Sequence, residues 1–314
     1  MSAIPYPLDP MGSTNRGSYF ELVVKPGILG DSLTYGFTPY WNTGGYCKVV
    51  DWGDGSGDDA TKSSSTLTHT YAEAGTYTIS IKAECYRCMF GDNSTYAALV
   101  YDANGNWDAL GDITAGTAMF HQCINAVFAF KNLPRNLRSG WWMFRSCTNA
   151  LLKIETLPDS LVDMTHMFAF CSKSPLKINK IPSGITGNKL TAAFNGCKEA
   201  QLVISELPAA ITNGESIFRS CEKSEFLITS LPDTLTNGDG MFQTCRKAVI
   251  NLDALVSNAP ENGWESLTVI QYMFQNAGSG NDPGTVTGSR SAFLAKCPNV
   301  KNTASAFTGT NTTN

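Results

Sequence analysis

The stretch MFRSCTNALLKIETLPDSLVDMTHMFAFC, residues 143–171, contains the pattern that organises most of this 314-residue chain. Phe144 and Cys147 recur 24 residues later as Phe168 and Cys171. The same phenylalanine occurs in six successive units, at spacings of 24, 24, 26, 24 and 24 residues: Phe120, Phe144, Phe168, Phe194, Phe218 and Phe242. A fixed period of this length is typical of repeat proteins, so the sequence predicts a stack of units after about residue 115.

Each unit places the same residue types at the same distances from its phenylalanine. A cysteine follows three residues later in all six units: Cys123, Cys147, Cys171, Cys197, Cys221 and Cys245. Apolar residues at plus eight and plus ten have the period of two that predicts a short strand. In five units a Leu-Pro or Ile-Pro dipeptide then ends the strand, because proline has no N–H to donate to a ladder. We predict one or two helical turns for the segment that follows, including Phe-x-x-Cys.

A unit with one strand and about one helical turn is too small to bury its own apolar face. Neighbouring units must share a core, so the predicted fold of this region is an α/β solenoid with a parallel sheet on one side. Equivalent cysteines lie side by side in such a stack, and cysteine is among the residues most often buried. We therefore interpret the six repeated cysteines as a reduced core ladder, with a disulfide or metal-binding set as the alternative.

The pattern LP-x-x-L, MF-x-x-C and L-x-I resembles the BspA-type leucine-rich repeats of bacterial surface proteins. The resemblance covers roughly residues 97–310. The chain departs from the pattern at Phe274, which is followed by Ala277 instead of cysteine, and in its irregular final units. The resemblance implies a leucine-rich-repeat solenoid with a non-enzymatic, surface-displayed binding or scaffolding role.

Short strands separated by turn residues precede the repeats, and their spacing predicts a β-sandwich. They are Phe20–Val24, Ser32–Phe37, Tyr46–Asp51, Leu67–Tyr71 and Tyr77–Ala83. Within them, VDWGDGSGDD and HTYAEAGTYTISIKA resemble the signature of the PKD domain, an all-β immunoglobulin-like sandwich. The likeness is carried by Asp51, Trp52, Gly53, Asp54, Gly55, Ser56, His69, Tyr71, Gly75 and Tyr77. It implies a spacer or binding module of the extracellular type.

The predicted organisation has two domains with a connector between them. Residues 1–17 form an N-terminal arm, 18–90 the PKD-like sandwich, 91–115 a connector that caps the first repeat, and 116–314 the repeats with an irregular C-terminal cap. The arm is interpreted either as disordered or as an assembly arm that docks on a neighbouring subunit. Because the connector has no Pro/Ser-rich spacer, we expect the domains to pack against each other.

Metal and cofactor sites are not expected in either domain. Four aspartates supply oxygens of the kind that calcium prefers: Asp51, Asp54, Asp58 and Asp59. Their spacing is not that of an EF-hand, and Asp-Gly pairs are ordinary turn formers. Cys85 and Cys88 form a C-x-x-C pair, which alone is a weak signal for zinc or redox chemistry. Cys47 is a candidate neighbour of Cys85, and structural thiols are the favoured interpretation of all three.

Composition and motifs argue against several functional classes. The net charge of −4 gives no basic surface for nucleic acid, and no apolar run approaches the roughly 20 residues that cross a bilayer. The first 20 residues lack the positive and apolar segments of a secretory signal. The three histidines, His69, His121 and His166, are not near a recognisable nucleophile or carboxylate pair. We therefore expect no enzymatic activity.

The strands of the repeats offer a candidate binding face. If plus eight and plus ten point into the core, plus seven, nine and eleven point outward, because side chains alternate across a strand. The predicted binding residues on this face are Leu151, Lys153, Lys177, Val203, Leu227, Val249 and Asn251. Pro175 extends the apolar part and Lys131 the basic part. The alternative is that scattered outward aliphatic residues are normal in strands.

Three functional hypotheses follow from these features. The first is a structural or host-contacting component of a bacteriophage particle, on its capsid or tail, with neighbouring subunits or a host surface molecule as partner. The missing export signal, the reduced cysteines and the N-terminal arm favour it. The second is a bacterial cell-surface adhesin that binds a host protein or glycan through the solenoid. The third is an intracellular scaffold that binds a protein.

Overall fold

The computed structural model describes residues 19–41, 43–62, 65–91, 93–128, 130–279 and 285–314. The predicted N-terminal arm, residues 1–17, lies outside the described residues, as does residue 129, the plus-nine position of the first unit. The described chain has a β-rich N-terminal region followed by the repeat region. Among these residues no helix has the length and apolar character needed to cross a membrane.

The N-terminal region is a sandwich of two antiparallel sheets. Its strands are β1 Phe20–Val24, β2 Thr34–Tyr40, β3 Cys47–Asp51, β4 Leu67–Thr70, β5 Tyr77–Ala83, β6 Arg87–Met89 and β7 Val100–Ala103. One sheet has the order β3-β5-β1-β7 and the other β4-β2-β6. All five predicted strands occur; β1 and β5 have the predicted ends, and the ends of β2, β3 and β4 differ by one to three residues. Alternating burial in β1, where Phe20, Leu22 and Val24 face inward, gives the sandwich its apolar interior.

The connector belongs to both regions. Helix α1, Ser94–Leu99, begins at Asn93, whose side chain accepts a hydrogen bond from the backbone N–H of Tyr96. β7 then pairs antiparallel with β1 at the edge of the sandwich sheet. The carbonyl of Tyr101 in β7 also accepts a 2.6 Å hydrogen bond from the backbone N–H of Val127, which belongs to the first repeat. One strand therefore closes the sandwich and covers the start of the repeats.

The strand segments of the repeats form only small sheets. The regular strands in the described repeats are β8 Val203–Ile204, β9 Glu225–Phe226, β10 Val249–Asn251 and β11 Thr285–Thr287. β8 pairs with β9 and β10 with β11, both in parallel. Other neighbouring units share single bonds, such as Leu151 N to Ala126 O at 3.0 Å. The continuous parallel sheet that we predicted is thus reduced to short pieces.

The prediction of helical turns around Phe-x-x-Cys is wrong. The α-helices in the described repeats are α2 Leu252–Ser257 and α3 Arg290–Ala295, and neither contains a repeated Phe-x-x-Cys. The turn segments instead alternate two kinds of hydrogen bond. His121 N–H donates within its own unit to Ala118 O at 3.2 Å, whereas Phe120 N–H donates to Met143 O of the next unit at 2.8 Å. An α-helix would use both groups internally, so the crosswise bonds exclude it.

A column of stacked phenylalanine rings runs through the core of both regions. Its members are Phe20, Phe90, Phe120, Phe144, Phe168, Phe194, Phe218, Phe242, Phe274 and Phe307. Neighbouring ring centroids lie 5.2 Å apart for Phe20 and Phe90, and 5.5 Å apart for Phe144 and Phe168. The rings of the latter pair are tilted by only 3°. This phenylalanine column makes one continuous hydrophobic core of the sandwich and the repeats.

The repeated cysteines connect each unit to the unit before it. All ten cysteines of the chain are free and buried. The thiol of Cys147 donates to the carbonyl of Phe120 at 3.0 Å, and Cys171 donates to Phe144 at the same distance. The bond recurs from Cys197 to Phe168, Cys221 to Phe194 and Cys245 to Phe218. Burial raises the pKa of Cys197 to about 12, so this thiol keeps its proton for the bond.

Candidate binding surfaces

The aspartates of the WGDGS turn are occupied by the turn itself. One carboxylate oxygen of Asp51 accepts the backbone N–H groups of Gly53, at 2.6 Å, and Gly55, at 3.1 Å. Asp54 accepts both the backbone N–H and the hydroxyl of Ser56. These bonds fix a tight loop in which both glycines have the left-handed φ that side chains disfavour. The arrangement is the turn chemistry expected of Asp-Gly pairs.

His69 completes this loop from the neighbouring strand. Its Nε2 lies 2.7 Å from the second carboxylate oxygen of Asp54, and its ring stacks on Trp52 at 5.2 Å. Burial opposes ionisation of Asp54, but the hydrogen bonds from Ser56 and His69 outweigh it and lower the pKa of this carboxyl. Asp54 lies between Ser56 and His69, whereas a catalytic triad needs the histidine in the middle. In the described residues no three metal-ligating side chains gather to hold an ion.

Three thiols meet where the sandwich adjoins the connector. The thiol of Cys85 donates to the carbonyl oxygen of Tyr46 at 3.8 Å. The interaction with Cys47, followed by that with Cys88, lowers the pKa of Cys85, while the interaction with Cys85, followed by burial, raises the pKa values of Cys47 and Cys88. All three side chains are buried. The proximity predicted for Cys47 and Cys85 is therefore present, and the three residues pack as free thiols.

The aliphatic residues predicted to face outward are exposed. Leu151 is 39% exposed, Val203 and Leu227 are each 45% exposed, and Val249 is 36% exposed. We call these four residues the aliphatic face. The register places Val203 directly beside Glu225, so polar side chains interrupt the apolar ones. Pro175, which we expected to extend this face, is only partly exposed.

The polar residues predicted for the same surface have different environments. Lys153 and Lys177 are exposed and, within the described parts of the chain, form no ion pair. Lys131 is paired with Glu155 of the next unit at 2.8 Å. The side-chain oxygen of Asn251 accepts the backbone N–H groups at the start of α2, so this residue caps a helix. The structure therefore leaves two unpaired lysines near the exposed aliphatic residues.

A second candidate surface lies on the turn segments and was not predicted from the sequence. We call it the aromatic cluster, formed by His121, Trp141, Trp142, Arg145, His166 and Phe170. Trp141 stacks on Trp142 with ring centroids 4.7 Å apart, and the guanidinium of Arg145 lies 4.5 Å from the centre of the Trp142 ring. Trp141 and Phe170 are 39% and 41% exposed. Exposed aromatic rings beside an arginine are typical of binding sites.

The imidazoles flank the central tryptophan of the cluster. The ring of His121 lies 5.6 Å from that of Trp142, and His166 meets it edge-on at 6.4 Å. Burial, and then the positive charge of Arg145, lowers the pKa of both histidines. Four nitrogens in the cluster are buried without a hydrogen-bond partner among the described residues: His121 Nε2, Trp142 Nε1, Arg145 Nε and His166 Nδ1. Such unpaired groups lower the stability of the free protein.

The backbone at the cluster is strained. Trp142, His166 and Phe170 have φ angles of 57°, 53° and 66°, in the left-handed region. For an L-residue this conformation costs about 1–2 kcal/mol. Every repeat unit has left-handed φ angles at these two positions, for example at Ser220, Tyr272 and Asn276, so the conformation belongs to the repeat and not to the cluster alone. The sequence signal for the cluster is a run of large rings at positions where most other units have smaller side chains.

Comparison with known proteins finds a family match for the N-terminal part of the chain. Residues 10–85 match the PKD domain family, which confirms the PKD-like part of the prediction and agrees with the antiparallel sandwich. No curated protein matches the chain. No solved structure matches it either. Because the family match ends at residue 85, the resemblance of the later residues to BspA-type repeats stays a prediction.

Proposed function

We propose that this protein is a non-enzymatic, surface-displayed structural or adhesion protein that holds a protein partner through its repeats. The observation that carries the proposal is the distribution of exposed apolar side chains. Of the eight large apolar side chains exposed in the described chain, four form the aliphatic face and two more belong to the aromatic cluster. Apolar residues that recur on one face of a repeat stack are typical of an interface.

The repeats are proposed to form a leucine-rich-repeat solenoid of the BspA type. The phenylalanine column, the thiol bonds between units and the crosswise backbone bonds support this proposal, because each connects a unit to its neighbours in the sequence. A rigid stack holds its outward side chains at fixed spacing. It thereby presents a large surface to a partner with little loss of conformational entropy on binding.

The proposed setting is the surface of a bacteriophage particle, on the capsid or the tail, where the partner is a neighbouring subunit or a host surface protein. The free thiols support this setting. Ten cysteines without a disulfide suit a chain that folds in a reducing compartment, as a virion protein made in the host cytoplasm does. Neither catalysis nor a bound cofactor has a part in this proposal.

The second candidate is a bacterial cell-surface adhesin that binds a host protein or glycan. The match of residues 10–85 to the PKD domain family favours it, because the resemblance implies a module of the extracellular type. In this setting the sandwich is a spacer and the repeats make the contact. The two candidates share the same binding surface and differ in whether a bacteriophage particle or a bacterial cell displays it.

Immunogold electron microscopy of the source culture tests the setting directly. The probe is an antibody against this chain, and the control is the same antibody after absorption with the purified protein. We expect gold on virus-like particles. Gold on cell envelopes would establish the adhesin candidate in its place, and gold confined to the cytoplasm would contradict both.

A double variant tests the proposed surface. We expect Leu227→Glu combined with Lys153→Glu to leave the urea unfolding curve unchanged, because both side chains are exposed. The double variant should no longer attach, as labelled protein, to the particles or envelopes that the antibody marks. The matched control is Lys301→Glu, an exposed lysine near the C-terminal end. Undiminished attachment of the double variant would remove the aliphatic face from the proposal.

A further inference from the structure

We propose that Cys85 is a site of reversible oxidation by peroxide, at which a disulfide forms with Cys47 inside the sandwich. The site lies in the N-terminal region, so the inference is separate from the repeat surfaces and from the virion setting. It rests on the backbone pairing that brings the two cysteines together and on a cleft that Cys85 lines.

The backbone brings Cys85 and Cys47 to the same side of the sheet that contains β3 and β5. These strands pair antiparallel, and Cys47 lies opposite Ala83. The pairing continues past the end of β5, because the backbone N–H of Glu84 donates to Tyr46 O at 2.9 Å. Side chains alternate along an extended chain, so residues 83 and 85 share the buried face. The sulfur of Cys85 lies 3.8 Å from the carbonyl oxygen of Tyr46, the residue before Cys47.

Cys85 is the central member of a group of three thiols. The backbone N–H of Tyr86 donates to Tyr40 O of β2 at 3.0 Å, so the chain crosses here from the sheet that holds Cys47 to the sheet that holds Cys88. Both thiols interact with that of Cys85, and the interaction with Cys47 is the larger. We therefore assign Cys47 as the partner in the disulfide and Cys88 as a neighbour that stays reduced.

A cleft gives small molecules access to Cys85. Its volume is about 350 Å³, and Cys85 lines it together with residues 43–45, Tyr86 and Thr114. The side chain of Cys85 is 3% exposed, whereas the six repeated cysteines are at 0%. Hydrogen peroxide is little larger than water, so a cleft of this size admits it.

The environment of Cys85 also favours its thiolate, the form of cysteine that attacks a peroxide. The interaction with Cys47, followed by that with Cys88, lowers the pKa of Cys85. At Cys297, by contrast, burial raises the pKa to about 12. Two cysteines of similar exposure therefore differ in reactivity.

The reaction uses one molecule of hydrogen peroxide and two steps. The sulfur of Cys85 attacks one peroxide oxygen and the O–O bond breaks, so Cys85 becomes a sulfenic acid and the other oxygen leaves as water. The sulfur of Cys47 then attacks the sulfur of Cys85 and displaces its hydroxyl, which takes the thiol proton of Cys47 and leaves as a second water. The two thiols lose two electrons and the peroxide gains them. A dithiol reductant reverses the change by thiol–disulfide exchange.

Thiol counting and peptide mapping of the whole folded chain test the proposal. The reduced protein is treated with hydrogen peroxide, the peroxide is removed with catalase, and the chain is then unfolded in urea with iodoacetamide. We expect the number of free thiols to fall from ten to eight, with one disulfide between the peptides of Cys47 and Cys85. Treatment with dithiothreitol before unfolding should restore all ten.

Cys297 is the matched internal control, because it is 4% exposed and has a raised pKa. It should stay reduced at the peroxide concentration that oxidises Cys85. Cys85→Ser should leave Cys47 and Cys88 reduced, because it removes the attacking sulfur. Cys47→Ser combined with Cys88→Ser should accumulate a sulfenic acid at Cys85 that dimedone labels. A circular dichroism spectrum checks the fold of each variant, and the wild-type map decides the proposal if a variant does not fold.

A thiol count that stays at ten overturns the proposal, and so does equal oxidation of Cys85 and Cys297. A disulfide between Cys85 and Cys88 overturns the assignment of Cys47 as the partner. A disulfide that forms only when peroxide is added to the chain in urea overturns it as well, because the reaction would then not depend on the folded sandwich.

Discussion

The contacts that stabilise the sandwich join residues far apart in the sequence, whereas those that stabilise the repeats join neighbouring units. In the sandwich, β1 pairs with β5, so Phe20 lies opposite Ile81 and the sheet closes only when distant strands have met. In the repeats, Cys171 reaches the carbonyl of Phe144 in the preceding unit and Phe168 stacks on Phe144. The sandwich is therefore one cooperative object, whereas the repeats approximate a sum of neighbouring contacts.

This difference shows that the amount of regular secondary structure does not measure how tightly the interior of a region is packed. The sandwich has seven strands in two sheets, and the described repeats have four short strands and two short helices. Yet the repeat interior is equally buried, with most of its repeated Phe and Cys side chains at 0% exposure. Side-chain columns and crosswise turn bonds replace the ladder there. The following changes test how far the two modes of stabilisation are separate.

The largest expected effect comes from a charge placed in the thiol ladder. Cys197 is fully buried and donates to Phe168 O, so Cys197→Asp places a buried carboxylate against a carbonyl oxygen that cannot donate a hydrogen bond to it. We expect a loss of about 5 kcal/mol in the free energy of unfolding, measured by urea titration followed by circular dichroism. Lys173→Asp, at an exposed position nearby, is the control and should change stability little. An unchanged curve for Cys197→Asp would contradict the buried ladder.

The next effect separates the two regions. Phe90 stacks on Phe20 of the sandwich and on Phe120 of the first repeat, at 5.2 and 5.4 Å. Phe90→Ala should cost about 4 kcal/mol and split unfolding into two steps, because it empties the column where the regions meet. The comparison variant is Phe226→Ala, which is buried inside the repeats and should lower stability without splitting the transition. Differential scanning calorimetry distinguishes these outcomes; a single transition for Phe90→Ala would show that other contacts couple the regions.

A smaller effect measures one thiol bond. The thiol of Cys221 donates to Phe194 O at 3.1 Å in a fully buried site. We expect Cys221→Ala to lose about 1 kcal/mol, from the missing donor and the small cavity. Cys221→Ser keeps a donor at this position, so it should differ from the alanine variant. Equal unfolding midpoints for the two variants would show that the cysteine serves only to fill space.

The smallest effect is a pH dependence confined to the sandwich. Because the folded pKa of Asp54 lies below its unfolded value, its contribution to stability is present above about pH 4 and is lost as pH falls through the folded pKa. The Asp54–His69 pair is partly exposed, so the contribution is no more than about 1 kcal/mol. Asp54→Asn should be less stable than wild type at pH 7, and the difference should shrink as the pH falls below about 4. A difference that does not shrink would assign the effect to geometry instead of charge.

The sequence predicted the parts of this fold that depend on residue period. Alternation in FELVV and YTISIKA predicted two sandwich strands, and the phenylalanine period predicted that neighbouring units share a core. It did not predict the turn geometry, because residues three apart also lie on one face of a helix. A run such as Met143, Phe144 and Cys147 therefore suits both a helix and a series of turns. The residues with left-handed φ, such as Ser146, are what makes this segment a series of turns. Serine does not favour that conformation, so the sequence does not reveal it.

The candidate binding surfaces also include features that the sequence predicted and features that it did not. Exposure of Leu151, Val203, Leu227 and Val249 follows from strand alternation, so it was predictable. Their interruption by Glu225 depends on the register between β8 and β9, which single sequences do not specify. The aromatic cluster depends on rings from adjacent units meeting across the turns, and that meeting requires the three-dimensional spacing of the stack.

The phenylalanine column also fixes how the length of the protein can change. Successive repeat rings lie 5.5 to 5.9 Å apart, so each unit of about 24 residues adds only that distance along the stack. Duplication or deletion of one unit within the gene would move the C-terminal cap by one such step and leave the remaining surfaces in register. We therefore expect gain or loss of one unit to change the length of the repeat region by less than 6 Å.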